Sequence, residues 1–459
     1  MANTYLSRTI SSTSTPKKMT CSFWIKRTGT GNSVQRIFSQ SNNAPFDMYW
    51  RWETGDVFTA WNELNNGGTL NSISPNMKFR DFGAWYHIVL RWDTTQSTST
   101  DRIRMYVNGT NIDDLGGYSS YTAPSLNDDI GIFSSTSNIF DIGYYRANGG
   151  ETLESNLTHV HLCDGYSYGP ESFGQTDSIT GEWSIKPIPN VTYGTNGFFL
   201  FKDDASINDQ SGNGNNFTLG SGNLNKTEDN PSNNFAILNT MRKVDTSGTF
   251  SKGNLTYTRG DNNWVTAIST LGFTKGKFYY EAEFESGSYF KLGFVSDDSV
   301  TGVGHIGQAA IDAGYAWYMN SGGEVRTDDA VVSGWAGSDI TNISTITTGD
   351  IMKVAVDMDN KFAYFGVNNV WAKNADPTSG SSGTGGFPIS SEYTSGQEQK
   401  IMLPAVSVYN ASCHVNFGNG YFGTTAVSSA GTNASTHGVF EYDVPAGYTA
   451  VCTKGINSF

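Results

Sequence analysis

The sequence predicts an all-β protein with two antiparallel β-sandwich domains of jelly-roll type, joined by a turn-rich connector. Glycine, serine, threonine and asparagine dominate the polar residues, aromatic residues reach 13%, and charged residues only 16%. No long heptad or 3.6-residue pattern is visible, whereas short runs alternate with a period of two. This composition is typical of sheets connected by many turns. A chain of 459 residues is too long for a single ordinary core.

The first predicted domain covers residues 1–165. Its candidate strands are Cys21 to Lys26, Arg36 to Ser39, Phe46 to Trp52, Trp85 to Asp93, Arg102 to Gly109, Ile139 to Gly143 and Leu157 to Cys163. Asn108-Gly109 is a tight-turn signal at the end of one of them. Strands at this spacing, separated by glycine and asparagine, predict a two-sheet sandwich.

Several of these strands resemble the laminin-G-like, concanavalin A-like lectin/glucanase superfamily. The matching pieces are Ser22 to Ile25, Trp85 to Val89, Met105 to Gly109, Ile142-Gly143 and Leu157 to Gly165. They occur in the order expected of that fold and span nearly the whole block. The resemblance implies a jelly roll that often binds glycans or proteins, and it does not imply an enzyme.

Residues 166–245 have the composition of a connector between domains, with prolines at 187, 189 and 231 and a turn-rich run at 213–216. Gly197 to Phe201 predicts one short strand inside it. Asp203, Asp204 and Asp209 supply the carboxylates that calcium prefers. Their spacing fits no calcium loop, and we interpret them as solvated turn residues.

The second predicted domain covers residues 246–425 and is organised around a hairpin from Ile351 to Trp371. Residues 352, 354, 356 and 358 are apolar, which predicts a strand with one buried face. Asp359-Asn360 supplies the turn, and Phe362 to Val367 forms the return strand. Residues 426–459 form a C-terminal segment.

Four motifs of this second block resemble a SPRY domain. They are Gly276 to Phe284, Lys291 to Val295, Val354 to Val367 and Val415 to Gly418. The resemblance implies a bent β-sandwich that binds through its loops and has no catalytic activity. The loops match no known peptide-binding set, so the family's partners do not transfer.

Sugar sites combine an exposed aromatic ring with polar groups, because the ring covers the C–H face of the sugar and the polar groups bind its hydroxyls. In the first domain, Tyr49 and Arg51 share one strand face, opposite Met48, Trp50 and Trp52. We expect one of these two faces to be core. The candidate carbohydrate-binding residues are Tyr49, Arg51, Trp61 and Asn62 in the first domain and Tyr318 and Trp335 in the second. Burial in a core is the alternative for each aromatic residue.

Catalysis has one candidate, the alternating Glu281, Glu283 and Glu285, which project from one strand face. Retaining glucanases of jelly-roll type use a Glu-x-Asp-x-Glu strand. Here the central acid is glutamate and the run lies in the SPRY-like block, so we expect no enzyme. His159 and His161 share a strand face, but a third metal ligand is not evident, and we predict neither a metal nor a cofactor.

Net charge and cysteine content limit the kinds of partner and site that we expect. The net charge is −14 and no basic cluster is visible, which argues against nucleic acid. No secretion signal or membrane span is evident in the sequence. The four cysteines, at positions 21, 163, 413 and 452, are far apart, and we expect small core residues.

The closing stretch from Gly438 resembles bacteriophage virion proteins, as do Gly194 to Phe198 and Ser211 to Asn216. Such proteins pair a laminin-G-like module with a SPRY-like one. The resemblance implies a virion surface component (a fibre, tail-associated or head-decoration protein) assembled in the host cytoplasm. We expect it to contact other virion proteins and to bind host-surface glycans through multivalent weak contacts, as a homotrimer by analogy with phage fibres. The alternatives are a structural cement protein and, third, a glycan hydrolase.

Overall fold

The structure is a computed structural model. It describes residues 4–29, 33–41, 48–63, 70–146, 149–203, 205–243, 247–297, 304–306, 314–318, 323–327, 330–389, 400–432 and 437–459. The structure describes the backbone of the predicted site residue Tyr318 but not its side chain. Phe46, Asp47 and Asp204 lie outside the described residues. Backbone contacts divide the chain into two compact units, residues 1–226 and 227–459.

The first unit contains sixteen strands within its described residues. These are β1 Tyr5–Thr9, β2 Lys18–Arg27, β3 Gln35–Ser41, β4 Met48–Glu53, β5 Val57–Glu63, β6 Leu70–Pro75, β7 Trp85–Asp93, β8 Ile103–Val107, β9 Thr110–Asn111, β10 Tyr118–Thr122, β11 Ile139–Ile142, β12 Ser155–Asp164, β13 Gly174–Thr176, β14 Trp183–Ile185, β15 Phe198–Leu200 and β16 Thr218–Ser221. Three 3-10 turns, Ser99–Asp101, Ile112–Leu115 and Pro170–Ser172, lie between them.

Two sheets form the sandwich of this unit. One has eight strands in the order β10-β6-β5-β4-β3-β11-β1-β16, and the other has six in the order β15-β12-β2-β7-β8-β9. Their inner faces meet in one core, where Phe23 packs edge-on against Phe38 at 5.1 Å and Trp50 stacks on Trp92 at 5.9 Å. The predicted sandwich architecture is confirmed.

Strand β4 illustrates how alternation builds this core. Met48, Trp50 and Trp52 are at most 3% exposed and all belong to the core. Tyr49 and Arg51 therefore point to the opposite face of the eight-stranded sheet. The sequence left open which set would face the core. Met48 and the two tryptophans, with the larger apolar surface, do so, and Tyr49 on the other face is buried as well, at 6% exposure.

Residues beyond position 165 complete the first unit. Strand β15 pairs with β12, and β16 pairs with β1. The buried Arg8 of β1 donates to the backbone oxygen of Asn196 at 2.8 Å, which ties that segment to the sheet. The hairpin β13–β14 contacts the outer face of the six-stranded sheet through Trp183, whose indole N–H donates to Nδ1 of His87 at 2.8 Å.

The second unit contains fifteen strands within its described residues. They are β17 Leu238–Lys243, β18 Thr249–Ser251, β19 Thr256–Ser269, β20 Lys277–Ser296, β21 Gly314–Tyr318, β22 Glu324–Thr327, β23 Ala330–Val331, β24 Ile351–Asp357, β25 Phe362–Val367, β26 Val370–Trp371, β27 Phe387–Pro388, β28 Met402–Asn416, β29 Tyr421–Phe422, β30 Thr425–Ala426 and β31 Thr449–Ala450. The described residues of this unit also form three 3-10 turns and one short helix. These are Gly337–Asp339, Ala372–Asn374 and Gly380–Ser382, and the helix Thr453–Ile456.

Three long strands, β19, β28 and β20, lie side by side and organise this unit. The first part of β20 pairs with β24 and its last part with β21, so the same strand serves two regions of one sheet. Trp317 of β21 stacks on Phe365 of β25 at 5.6 Å. The sheet therefore folds over a shared core, as a bent sandwich does.

The predicted hairpin is confirmed as β24 and β25, with Met352 opposite Val367. Residues 352, 354, 356 and 358 are at most 4% exposed. The other face is buried as well, which the alternation did not predict. Ala355 and Tyr364 pack in a second cluster with Phe440, Tyr448 and other residues of the C-terminal segment. That segment covers the face that the sequence pattern marked as polar.

The four cysteines are buried and free, as predicted. Within the described residues, no helix is both long and apolar enough to cross a membrane.

Candidate functional site

Three of the predicted site residues meet on the outer face of the eight-stranded sheet. Tyr49 of β4 lies directly opposite Trp61 of β5, and Arg51 lies two residues further along β4. The rings of Tyr49 and Trp61 pack edge to face, with centroids 4.5 Å apart at 80°. Trp61 is half-buried, so part of its ring remains accessible to solvent.

Arginine side chains extend this aromatic pair along the sheet. The guanidinium carbons of Arg36 and Arg51 lie 4.2 Å and 4.6 Å from the centroid of the Tyr49 ring. Arg36 also lies 3.9 Å from the ring of Tyr145. Cation–π contacts of this kind hold the rings and guanidinium groups in fixed positions.

Two glutamates balance the two arginines. Nε of Arg51 donates to Glu53 at 2.6 Å, Nη1 of Arg51 lies 3.7 Å from Glu151, and Arg36 pairs closely with Glu151. Burial raises the pKa of the Tyr49 hydroxyl to about 12, against the opposing effect of the two arginines. These four charged groups sum to zero, and the phenol stays neutral at ordinary pH.

A polar cluster continues the same face toward β11 and β1. The side chain of Arg146 donates to Asp141 at 2.7 Å and to Oγ of Ser7 at 2.9 Å. Tyr5 stacks on Tyr144 at 4.2 Å and 13°. The outer face therefore alternates aromatic rings with hydrogen-bonding groups over several strands.

Asn62 is separated from this group. It follows Trp61 directly in a strand, so its side chain points to the opposite face, where it is 3% exposed next to the core. Its register partner Asn71 lies on that face too and accepts a hydrogen bond from the indole of Trp92 at 3.1 Å.

The two predicted residues of the second unit do not meet the first three. Trp335 is 6% exposed and packs edge-on against Phe365 and Phe387 at 6.3 Å and 5.6 Å. The ammonium of Lys373 lies 4.7 Å from its centroid. Tyr318 is the last residue of β21, where its backbone pairs with Lys291.

The three alternating glutamates have different surroundings. Glu281 is fully buried, and its carboxylate accepts hydrogen bonds from the hydroxyl of Tyr279 at 2.7 Å and the backbone N–H groups of Glu441 and Tyr442 at 3.0 Å. Burial raises its pKa to about 7. Glu281 therefore anchors the C-terminal segment.

The other two glutamates lie nearer the solvent. Glu285 accepts from Oγ of Ser412 at 2.5 Å and lies 3.1 Å from Nε2 of His414 and 3.6 Å from Nζ of Lys252. Burial raises the pKa of Glu283, and the nearby charge of Glu285 adds to that effect.

His161, of the predicted histidine pair, and Asp209, of the connector aspartates, bind other side chains and backbone groups of the first unit. Nδ1 of His161 lies 2.9 Å from the hydroxyl of Tyr193, and the imidazole stacks on Phe199 at 4.0 Å. Asp209 accepts from the backbone N–H groups of Phe199, Ser211 and Asn215, each at 2.9 Å. The described residues contain no group of three side chains arranged to hold a metal ion.

Residues that the sequence did not indicate complete the first-unit face. Tyr145 and Glu151 come from the segment between β11 and β12, about a hundred residues from Arg36 and Arg51 in the chain. No local pattern links residues so far apart. A simple alternation count on β3 would have placed Arg36 on the core face with Phe38, and the register shift between these two residues sets Arg36 opposite Arg51 instead.

The comparisons with known proteins agree with the fold of the first unit. The sequence model of the family described as the concanavalin A-like lectin/glucanases superfamily (Laminin_G_3) matches residues 2–152. The lectin-like resemblance predicted for the first block is thereby confirmed. The comparison with curated proteins finds no match.

Solved structures similar to this chain include two SPRY domains and a pentraxin. The SPRY domain of human HERC1 is 14% identical with a TM-score of 0.26, covering 39% of this chain and 96% of its own. A human SPRY domain is 11% identical with a TM-score of 0.26, covering 37% and 94%. The heptameric SAP-like pentraxin from Limulus polyphemus is 15% identical with a TM-score of 0.25, covering 41% and 92%. These matches give no indication of a bacteriophage origin.

Proposed function

We propose that the first unit binds carbohydrate on the outer face of its eight-stranded sheet and that the chain is not an enzyme. The observation that carries this proposal is the meeting of Tyr49, Arg51 and Trp61 on one face of a lectin-like sandwich. A sugar would place its C–H face on the accessible part of the Trp61 ring. The guanidinium of Arg51 would donate to its hydroxyls, and Glu53 would accept from them.

The charge balance of this face favours a neutral sugar. Arg36 and Arg51 are matched by Glu53 and Glu151, so no net positive charge is left to attract a carboxylate or phosphate. Cation–π and ion-pair contacts hold the arginines before a ligand arrives, which lowers the entropy cost of binding. A flat sheet face buries little of a sugar, so each site is expected to bind weakly.

The wider role we propose is attachment of a tailed-phage virion to host-surface glycans. Support comes from the sequence resemblance of Gly194 to Phe198, Ser211 to Asn216 and the stretch from Gly438 to phage virion proteins. The chain would be a fibre, tail-associated or head-decoration component, assembled in the host cytoplasm with other virion proteins. With a net charge of −14, duplex nucleic acid is not a partner in this proposal.

The test is binding of the full chain to intact host cells and to a glycan array, with Trp61→Ala beside the parent. We expect Trp61→Ala to weaken binding about tenfold, since aromatic packing contributes about 0.5–1.5 kcal/mol beyond area burial. Tyr166→Ala is the matched control, because Tyr166 is an aromatic residue of the same unit that is 40% exposed.

Saturable binding that Trp61→Ala weakens and Tyr166→Ala leaves intact supports the proposal. Equal binding by parent and both variants would move the site away from this face. Absence of binding at millimolar ligand by a folded chain would reject the adhesin and favour a structural role in the virion. Release of reducing sugar from a bound glycan would reject the non-enzymatic assignment.

A further inference from the structure

The second unit carries three aromatic residues in one row across its three central strands. Trp264 of β19 lies opposite Tyr409 of β28, and Tyr409 lies opposite Tyr289 of β20. Their ring centroids are 5.5 Å, 5.7 Å and 6.4 Å apart for Trp264–Tyr409, Tyr289–Tyr409 and Trp264–Tyr289. We call these three residues the aromatic triad.

The triad faces away from the core of the second unit. Its neighbours in sequence, Val265, Phe290 and Val408, belong to the main core, so alternation directs the triad to the opposite face. Tyr289 is 43% exposed, and Trp264 and Tyr409 are half-buried. Part of the triad surface, chiefly at Tyr289, is therefore accessible from solvent.

A buried lysine and a half-buried histidine contact the Trp264 ring. The ammonium of Lys291 lies 4.9 Å from the ring centroid, and the imidazole of His305 packs edge-on at 4.9 Å. Lys291 is 2% exposed and is held by Nδ1 of His305 at 2.6 Å and the backbone oxygen of Ile306 at 3.2 Å. The ring is thus fixed before any ligand binds, which limits the entropy cost of binding.

A large bulge in β19 places polar side chains beside the triad. Four residues, 260–263, separate Arg259 from Trp264, whereas Asn410 alone separates their partners Ala411 and Tyr409 on β28. All four are exposed. Asp261 accepts from the guanidinium of Arg259 at 3.0 Å and from the amide of Asn263 at 3.4 Å. Bulges of this kind are common next to binding sites, where they redirect side chains.

We propose that the aromatic triad and the bulge at 260–263 form a second carbohydrate-binding site, for a neutral oligosaccharide. The rings would contact the C–H face of a pyranose, and the amides and carboxylate of the bulge would bind its hydroxyls. Asp261 and Arg259 pair with each other, so together they add no net charge beside the triad. This site stands on its own geometry and does not depend on the Trp61 face.

A protein partner is less well matched to this surface. Stable protein interfaces bury on the order of 800 Å² on each side, with an apolar centre. Among the described residues of the bulge and the triad, Tyr289 is the only large apolar side chain that is strongly exposed. The small aromatic surface with a rim of amides fits a sugar ring better than a protein interface.

The experiment measures binding of the full chain to immobilised neutral gluco-, galacto- and manno-oligosaccharides, followed by titration of the best of these in solution. Trp264→Ala and Tyr289→Ala are each expected to weaken binding about tenfold or more. Tyr289→Ala replaces an exposed side chain, so it stays informative if Trp264→Ala does not fold. Tyr421→Ala, at a half-buried tyrosine of the same unit, is the matched control.

Binding that both triad variants weaken and Tyr421→Ala leaves intact supports the inference. Binding that is lost only in Trp61→Ala overturns it while leaving the proposed function in place. Binding that the triad variants weaken and Trp61→Ala does not would support the triad and reject the first-unit site. Absence of saturable binding by the folded parent at millimolar oligosaccharide overturns both sites.

Discussion

His87 is a fully buried histidine whose two ring nitrogens both have partners. Nδ1 accepts from the indole of Trp183 at 2.8 Å, so Nε2 carries the proton and donates to Oγ of Ser22 at 2.8 Å. Trp24 stacks on the ring at 4.7 Å. Burial lowers the pKa of His87 to about 3, and His159 adds to the effect. His87 therefore has a neutral imidazole in the folded first unit.

This environment predicts a loss of stability in mild acid. The unfolded chain has a histidine pKa of about 6.5, so it binds more protons than the folded chain between about pH 3 and 6.5. The free energy of unfolding should therefore rise with pH in that window and fall by up to about 1.4 kcal/mol per unit as pH decreases. We expect His87→Asn to reduce this slope in urea unfolding of the first unit.

The control for this prediction is Trp183→Phe, which removes the donor to Nδ1 and keeps an aromatic ring over His87. Because burial is the main cause of the lowered pKa, this variant should keep most of the slope. His161 is also buried, and its pKa is lowered by burial, so the slope in His87→Asn should shrink without vanishing. An unchanged slope in His87→Asn would contradict the assignment.

At the same scale, alternation explains which site residues the sequence could place. The period of two set Tyr49 and Arg51 on one face of β4, opposite Met48, Trp50 and Trp52, and it left open which of the two faces is core. It also separates Asn62 from Trp61, since adjacent strand residues point to opposite faces. The burial of Trp335 was not readable from local sequence, because Phe365 and Phe387, which cover it, come from other strands.

At the level of elements, Gly287 allows β20 and β28 to pair closely beside the aromatic triad. Its φ is +110°, and a Cβ at this position would lie 2.2 Å from the backbone oxygen of Asn410 and 2.4 Å from Cα of Ala411. Gly287→Ala should therefore destabilise the second unit by about 2 kcal/mol or more. Chemical unfolding of the variant and the parent measures the difference.

Gly260 is the matched control for this substitution. It lies in the exposed bulge of β19, with no atom within 4 Å of an added Cβ. Gly260→Ala should stay within about 0.5 kcal/mol of the parent, as is usual for exposed positions. Equal stability of Gly287→Ala and Gly260→Ala would mean that the backbone at 287 can relax, and the close approach of β20 to β28 would be disproved.

The strands themselves were largely predictable, and their partners were not. The hairpin of β24 and β25 was readable because its alternation and its Asp359-Asn360 turn are local signals. The cover of its second face by Phe440 and Tyr448 was not, because those residues follow some eighty positions later. The aromatic triad was missed for the same reason, since Trp264, Tyr289 and Tyr409 meet only through the register of three strands.

At the scale of the whole molecule, each unit has a core of its own, over residues 1–226 and 227–459. Each unit also carries one of the two carbohydrate sites that we propose. Both sites lie on sheet faces, and on such a face we expect each to cover only part of a sugar ring. A single copy of the chain would therefore hold a glycan-coated surface weakly, through one or two contacts of short lifetime.

Attachment through such sites requires several copies, and we predict a homotrimer. Linking weak sites makes later contacts intramolecular, which raises overall avidity by about 10²–10⁴ without any new contact. Sedimentation equilibrium of the purified chain should give three times the mass of 49.8 kDa. Binding to glycan-coated beads should exceed binding to the free oligosaccharide by the avidity factor, and Trp61→Ala should reduce bead binding more steeply than single-site binding. A monomer that binds beads and free sugar equally would contradict this account, because its attachment would then need no multivalency.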